Sequence, residues 1–247
     1  MAVQPQQNNT GEISTEAILA EAKQKVKTAQ QQYIATLEQQ VAGSDKTVKI
    51  KACRQLASFW KDSANIAEPY IYYTAEAAKL ENSEKSLTFA TRLLVDNMLG
   101  ADNSSLQHWL AMQAKVLLDR SLAVNPNNDS AKIDLGACYM FGNISDNPMQ
   151  GILQVREIAQ QHPNNLYAQY ILGLGGKKSG QYDKAMEHFS VILNHQPNNL
   201  EAAFQLAECA ELKGDKATAI KWYQHLQEVI PNPEIKQEIA QRIKSLQ

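Results

Sequence analysis

Between Pro163 and Pro197, and again between Pro197 and Pro231, apolar positions run at helical spacing twice. Leu172 and Gly173, then Ala185, Phe189 and Ile192, fill the first interval. Leu206 and Ala207, then Ala219, Tyr223 and Leu226, take the same places in the second. The prolines that close these units are Pro126, Pro163, Pro197 and Pro231, at intervals of 37, 34 and 34 residues. A fixed period of this size marks a stacked repeat. Gly180 and Gly214 fall between the two helices of a unit, where a turn with positive φ suits glycine. Proline ends the second helix because it has no N–H to donate and pushes its predecessor out of the helical region. The Asn that follows caps the next helix. Pro-Asn is therefore a stop and a restart, written once per helical hairpin.

Upstream the register loosens. The pattern predicts helices near 45–65, 69–81 and 84–100, and a further one over "SSLQHWLAMQAKVLLDRSLAV". At the other end, Ile235, Ile239, Ile243 and Leu246 share one face, with Lys236, Glu238, Gln241, Arg242 and Lys244 on the others. That is a capping helix, apolar inward and charged outward. In the N-terminal segment, Leu19, Ala22, Val26, Ala29, Tyr33 and Leu37 follow a heptad-like spacing. One long helix docking on a partner fits this spacing, but a capping box at Thr28 would split it into two. Packing on the chain's own first repeat is favoured over dimerisation, since little more than two heptads is short for a coiled coil.

The positions set out above resemble the tetratricopeptide repeat (TPR) family. Unit 166–199 matches that signature with Leu172, Gly173, Ala185, Phe189 and Pro197, and unit 200–233 with Leu206, Ala207, Gly214, Ala219, Tyr223 and Pro231. Unit 129–165 matches with Leu135, Gly136, Tyr139, Gly151, Val155 and Pro163, and holds three extra residues in the turn "FGNISDNPM". The large aromatic of the signature's first helix is replaced by Lys132, Gln169 and Ala203. The resemblance implies an all-α fold, a right-handed α-solenoid of stacked antiparallel helical hairpins. Its expected division is a disordered polar start over 1–11, an N-terminal helical segment over 12–43 and two degenerate hairpins over 44–126. Three repeats follow over 127–231 (about 129–165, 166–199 and 200–231), then the capping helix over 232–247.

Composition narrows the function classes. A formal net charge of −2 with interspersed signs argues against a dedicated nucleic-acid or anionic-membrane surface. No stretch approaches the apolar length of a bilayer span. The start shows no signal peptide, but a trimmed leader or tether would leave the same start, so cytoplasm and periplasm both stay open. Cys53, Cys138 and Cys209 stand far apart without a C-x-x-C pair, which argues against disulfides and zinc. Five histidines include no H-x-x-x-H or H-E-x-x-H pair. "GLGGKKSG" at 173–180 looks like a phosphate loop, but its first glycines fall inside a helix rather than after a strand. The chain reads as a non-enzymatic protein with no cofactor and no metal.

The resemblance places a binding groove on the concave face lined by the first helices. Its positions here are Ile133, Ala137, Met140 and Phe141, then Tyr167, Tyr170, Leu174, Lys177 and Lys178, then Glu201, Phe204 and Glu208. TPR domains that grip chaperone C-termini clamp a carboxylate with Lys and Asn. The matching positions here are Ile133, Ala137, Ile171, Glu201 and Gln205, so the clamp is absent and Glu201 would repel an acidic tail. A hydrophobic or amphipathic peptide is the expected ligand of a protein-interaction scaffold. Three readings compete with an open groove. Tyr170 and Phe204 pack partly on the neighbouring repeat, or the N-terminal helix fills the groove, or residues 12–41 drive self-assembly into a homodimer. A fourth, from layout alone, is an accessory TPR subunit of bacterial envelope machinery, of the cytochrome c maturation or translocon type.

Overall fold

The structure, a computed structural model, describes residues 13–145 and 147–247. The polar start expected to be disordered lies outside them. Among the described residues all regular structure is helical. The chain divides into two compact units, 1–149 and 150–247. That division falls inside the repeat expected over 129–165, in the turn that carries the three extra residues.

The first unit contains α1 (Thr15–Gln24), α2 (Thr28–Ala42), α3 (Lys46–Ser58), α4 (Ala67–Glu81), α5 (Glu84–Gly100), α6 (Ser104–Val124) and α7 (Asp129–Phe141). The N-terminal stripe is two helices. Lys27, one residue before the expected box, is the N-cap of α2, and its N–H donates to Gln30 Oε1 at 3.0 Å. The Gln31 amide donates to the Lys23 carbonyl at 2.8 Å and tightens the corner. Ala22, Ile34 and Leu37 are buried with Ala52, Cys53, Leu56, Trp60, Tyr73 and Ala77 in one core cluster. Glu38 accepts from Lys23 at 2.6 Å and from the Tyr73 hydroxyl at 2.7 Å, and Trp109 Nε1 donates to Thr15 Oγ1 at 2.9 Å. Residues 15–42 thus pack on the chain's own neighbouring helices.

Beyond Ser58, α3 runs on as a π-helical turn over Phe59–Ala64, closed by Asn65 in the left-handed region at φ 52°. The wider turn buries Trp60 fully and leaves Phe59 half-exposed. Helices α5 and α6 form the next hairpin around the fully buried Leu87, Leu94, Val95, Met98, Leu117 and Leu118. Each such leucine stabilises the fold by about 1.5–3 kcal/mol relative to exposure. At the end of α7 the chain passes so close to α6 that a Cβ on Gly142 would sit 2.1 Å from the Ala111 Cβ. Only glycine fits there.

The second unit contains α8 (Met149–Gln161), α9 (Leu166–Lys178), α10 (Tyr182–His195), α11 (Leu200–Lys213), α12 (Lys216–Val229) and α13 (Pro233–Leu246). Its rhythm is the one the prolines announce. Asn165 and Asn199 cap α9 and α11 by accepting from the N–H of Ala168 and Ala202, and Asn232 caps α13. Asn128 does the same for α7 in the first unit. Gly180 and Gly214 turn the chain between helices at φ 72° and 86°. Small residues alternate with one large ring per repeat. Phe189 lies over Gly173, and Tyr223 takes the equivalent place 34 residues on. Both rings are fully buried among Ala185, Ala202, Ala203, Ala207, Ala210 and Ala219.

The departure at Gln169 has a local explanation. Its side chain is buried, donates from Nε2 to the Pro163 carbonyl at 3.1 Å, and lies 2.6 Å from His188 Nδ1. A buried amide is tolerated only when its hydrogen bonds are met, and these are. Thirty-four residues on, the pair becomes Ala203 and Trp222, which returns an aromatic to the hairpin from the second helix. The capping helix α13 buries Ile239 and Ile243 in the same cluster, with Leu246 partly buried against it.

Candidate functional site

The structure sorts the expected groove residues into two groups. On α7, Ile133 and Ala137 are fully buried and Met140 and Phe141 nearly so. These four belong to core packing and present no surface to a partner. Nine of the thirteen residues of α7 are buried, and a helix that is apolar nearly all round has no open face.

The α9 and α11 positions stay accessible. Tyr167, Tyr170, Leu174, Lys177, Phe204 and Glu208 are half-buried, while Lys178 and Glu201 are exposed. Tyr170 stands edge-on to Phe189 at 6.1 Å, and Phe204 edge-on to Tyr223 at 6.3 Å. The aromatic pair therefore recurs with the repeat, one ring in the core and one at the surface. Such tilted pairs add about 0.5–1.5 kcal/mol beyond area burial and hold the outer ring in place.

Polar groups join the two helices across this face. The Tyr170 hydroxyl donates to Glu201 at 2.9 Å, and Gln205 Nε2 donates to the same carboxylate at 3.0 Å. Lys177 donates to Gln205 at 2.7 Å and pairs with Glu208. Glu208 also meets Arg242 of α13 at 3.3 Å, and Arg242 Nε donates to Glu211 at 2.9 Å. The Tyr223 hydroxyl donates to Glu211 at 2.7 Å, and burial first, then this bond to a carboxylate, pushes its pKa upward. The Arg242 guanidinium also lies over both rings, 5.8 Å from Phe204 and 5.4 Å from Tyr223.

Arg242 is the functional-face residue that sequence reasoning placed wrongly, on the outward side of α13. A visible signal existed. Glu208 and Glu211, three apart on one helix face, need a counter-charge, and α13 supplies it beside its buried Ile243.

The chemistry expected to be absent finds no foothold in the geometry either. Residues Gly173–Lys178 are helical, so their N–H groups face along α9 rather than into a phosphate nest. The three cysteines are buried and free. Desolvation pushes the Cys53 and Cys209 thiols up to about 11, and Cys138 higher still, away from the thiolate a nucleophile needs. Among the described residues no group of three His, Cys, Asp or Glu is placed to hold a metal. Nor is any helix there long and apolar enough to cross a membrane.

Among known proteins, the family model for the tetratricopeptide repeat matches residues 178–241. No curated protein matches the chain. Solved structures do. Residues 41 to the end of MamA from Desulfovibrio magneticus RS-1 are 21% identical, covering 75% of this chain and 96% of that one, with a TM-score of 0.48. A further MamA structure is 18% identical over 72% of this chain and 90% of its own, at 0.46. YrrB, described as a TPR protein with an unusual peptide-binding site, is 13% identical over 83% and 97%, at 0.46. Residues 178–241 take in the end of α9 through most of α13, where the 34-residue rhythm is strictest. The chain carries tetratricopeptide repeats, and is a TPR protein on that account.

Proposed function

We propose that this chain is a non-enzymatic scaffold that holds a peptide or helical segment of a partner protein against the face of α9 and α11. The observation that carries this reading is the recurring half-exposed ring, Tyr170 and then Phe204, each fixed against a buried ring of its own repeat. Aromatic anchors held in advance lose little conformational freedom on binding. The charged groups around them already satisfy one another, so a ligand gains most from the rings and from Leu174. An amphipathic segment fits better than a purely charged one. Its own charges would meet Lys177 and Lys178 on one side and Glu201 and Glu208 on the other.

Site-specific photo-crosslinking tests this reading. A photoreactive residue at Leu174 is expected to label one protein partner in cells, and the same residue at the exposed Lys221 of α12 is not. Phe204→Ala should abolish the Leu174 adduct. Equal labelling from both positions, or none from Leu174, overturns the assignment.

A further inference from the structure

A cleft of about 670 Å³ opens in the first unit, between α2 and the start of α3 with its π-helical turn. Its apolar wall is Tyr33, Ile50 and Phe59. Tyr33 is 44% exposed and its ring lies 5.7 Å from Phe59. Lys51 and Arg54 stand at its edge, and no carboxylate lines it. The hydroxyls of Thr47 and Ser63 and the amide of Gln55 complete the lining with hydrogen-bond donors. Nothing in the α9–α11 face touches this cleft.

We propose that this cleft is a second docking site, which takes an acidic peptide bearing one aromatic or aliphatic anchor. The argument is charge complementarity over an apolar pocket. Residues 45–64 carry Lys46, Lys49, Lys51, Arg54 and Lys61 against Asp45 and Asp62, in a chain whose formal net charge is −2. Both acids are engaged locally. Asp45 accepts from the N–H of Thr47 and Val48, and Asp62 accepts from Ser58. Arg54 pairs with Glu81 at 2.8 Å, yet its side chain remains 67% exposed and keeps donors for another carboxylate. Lys51 has no ion pair among the described residues. The π-helical turn supplies the shape, because the extra residue in that turn swings Phe59 outward while Trp60 fills the core.

A side chain with a ring or branched alkyl group enters between Tyr33 and Phe59, and flanking Asp or Glu carboxylates meet Lys51 and Arg54. Two cations around an apolar wall are too few for a polyanion such as nucleic acid, which needs many phosphate contacts for useful affinity. They also fall short of the polybasic cluster that holds a protein to an anionic membrane.

The test uses the full chain and a fluorophore-labelled blocked peptide of Asp and Glu around one Phe. Fluorescence anisotropy is expected to show saturable binding that weakens as salt rises. Replacing the Phe by Ser, or the acids by Lys, should abolish it. Lys51→Glu and Tyr33→Ala, both at exposed positions, should each weaken binding by about tenfold, the scale set by losing one charge pair or one anchor. Phe204→Ala in the α9–α11 face should leave it unchanged, which separates failure here from failure of the scaffold reading. Peptide binding indifferent to Lys51→Glu and Tyr33→Ala overturns the proposal. So does capture of phosphatidylserine vesicles or duplex DNA in preference to the peptide, or a solution mass that shows a second copy of the chain in the cleft. Far-UV circular dichroism on each variant confirms that a loss of binding is not a loss of fold.

Discussion

The two units solve one packing problem in different ways. In the second, each hairpin sets one buried ring, Phe189 or Tyr223, against a bed of alanines and glycine, and the solution recurs after 34 residues. In the first, large side chains fill irregular gaps, with Trp60, Leu56, Leu87, Leu94, Met98, Leu110, Leu117 and Leu118 all fully buried and no period relating them. The regular unit has a face whose charges are mutually satisfied, from Tyr170 through Lys177 and Glu208 to Arg242. The irregular unit leaves a cleft whose cations lack carboxylates along its wall. Strict repetition fixes both partners of every contact in advance. Irregular packing leaves surfaces free for something else.

The sharpest way to break the comparison is at close backbone contacts. Gly142→Ala in the first unit would place its Cβ 2.1 Å from the Ala111 Cβ and 2.8 Å from the Cys138 carbonyl oxygen. Neither is the end of a flexible side chain, so helices must move apart. A loss of about 2–3 kcal/mol in urea unfolding is expected. In the second unit, Gly173→Ala meets the Phe189 ring at 2.6 Å. A ring can tilt where backbone cannot, and the next repeat already lives with Ala207 at that position. The expected cost is smaller, about 1–2 kcal/mol. The double variant Gly173→Ala/Phe189→Leu should cost less than the sum of its parts, because the two changes share one space. Equal losses at Gly142 and Gly173 would mean that the two units are equally rigid.

The caps sharpen what the units share. Asn128→Ala in the first unit and Asn165→Ala and Asn199→Ala in the second each remove one side-chain acceptor from a helix N-terminus. Each should cost about 1 kcal/mol, measured by thermal or urea unfolding. A much smaller cost at Asn128 would show that the repeat rhythm stops short of the first unit.

These caps also show how far the sequence was legible. Pro-Asn and the two positive-φ glycines fix the ends of α9 through α12, because they act on backbone geometry within a few residues. The helices of the first unit were also visible in outline, and so was the corner before α2. What periodicity could not give was which face of α7 turns inward. Met140 and Phe141 read as groove material because their chemistry suits either role, and only the burial of the whole helix decides between them. Arg242 was misplaced for the opposite reason. A cation beside a buried isoleucine looks solvent-facing until Glu208 and Glu211 on another helix are known to be near. The cleft beside Tyr33 depends on a π-helical turn, which carries no periodic signature at all.

The smallest expected effect is a pH dependence confined to the second unit. His188 Nδ1 lies 2.6 Å from Gln169 Oε1, and Gln169 Nε2 is already committed to the Pro163 carbonyl. The oxygen must therefore accept, and His188 carries its proton on Nδ1. Burial lowers the His188 pKa below its ordinary 6.5, with Glu187 opposing and Arg156 adding to the shift. A histidine that resists protonation when folded binds fewer protons than the same histidine unfolded. Its contribution is fully present above about 6.5 and is lost as pH falls below that value toward the folded pKa. Urea midpoints of wild type should therefore decline between neutral and mildly acidic pH. His188→Gln should flatten that part of the curve. The equivalent position in the next repeat is Trp222, which does not titrate, so one substitution suffices to remove the effect. A slope that survives His188→Gln would place the titrating group elsewhere and leave the Gln169–His188 pair as packing alone.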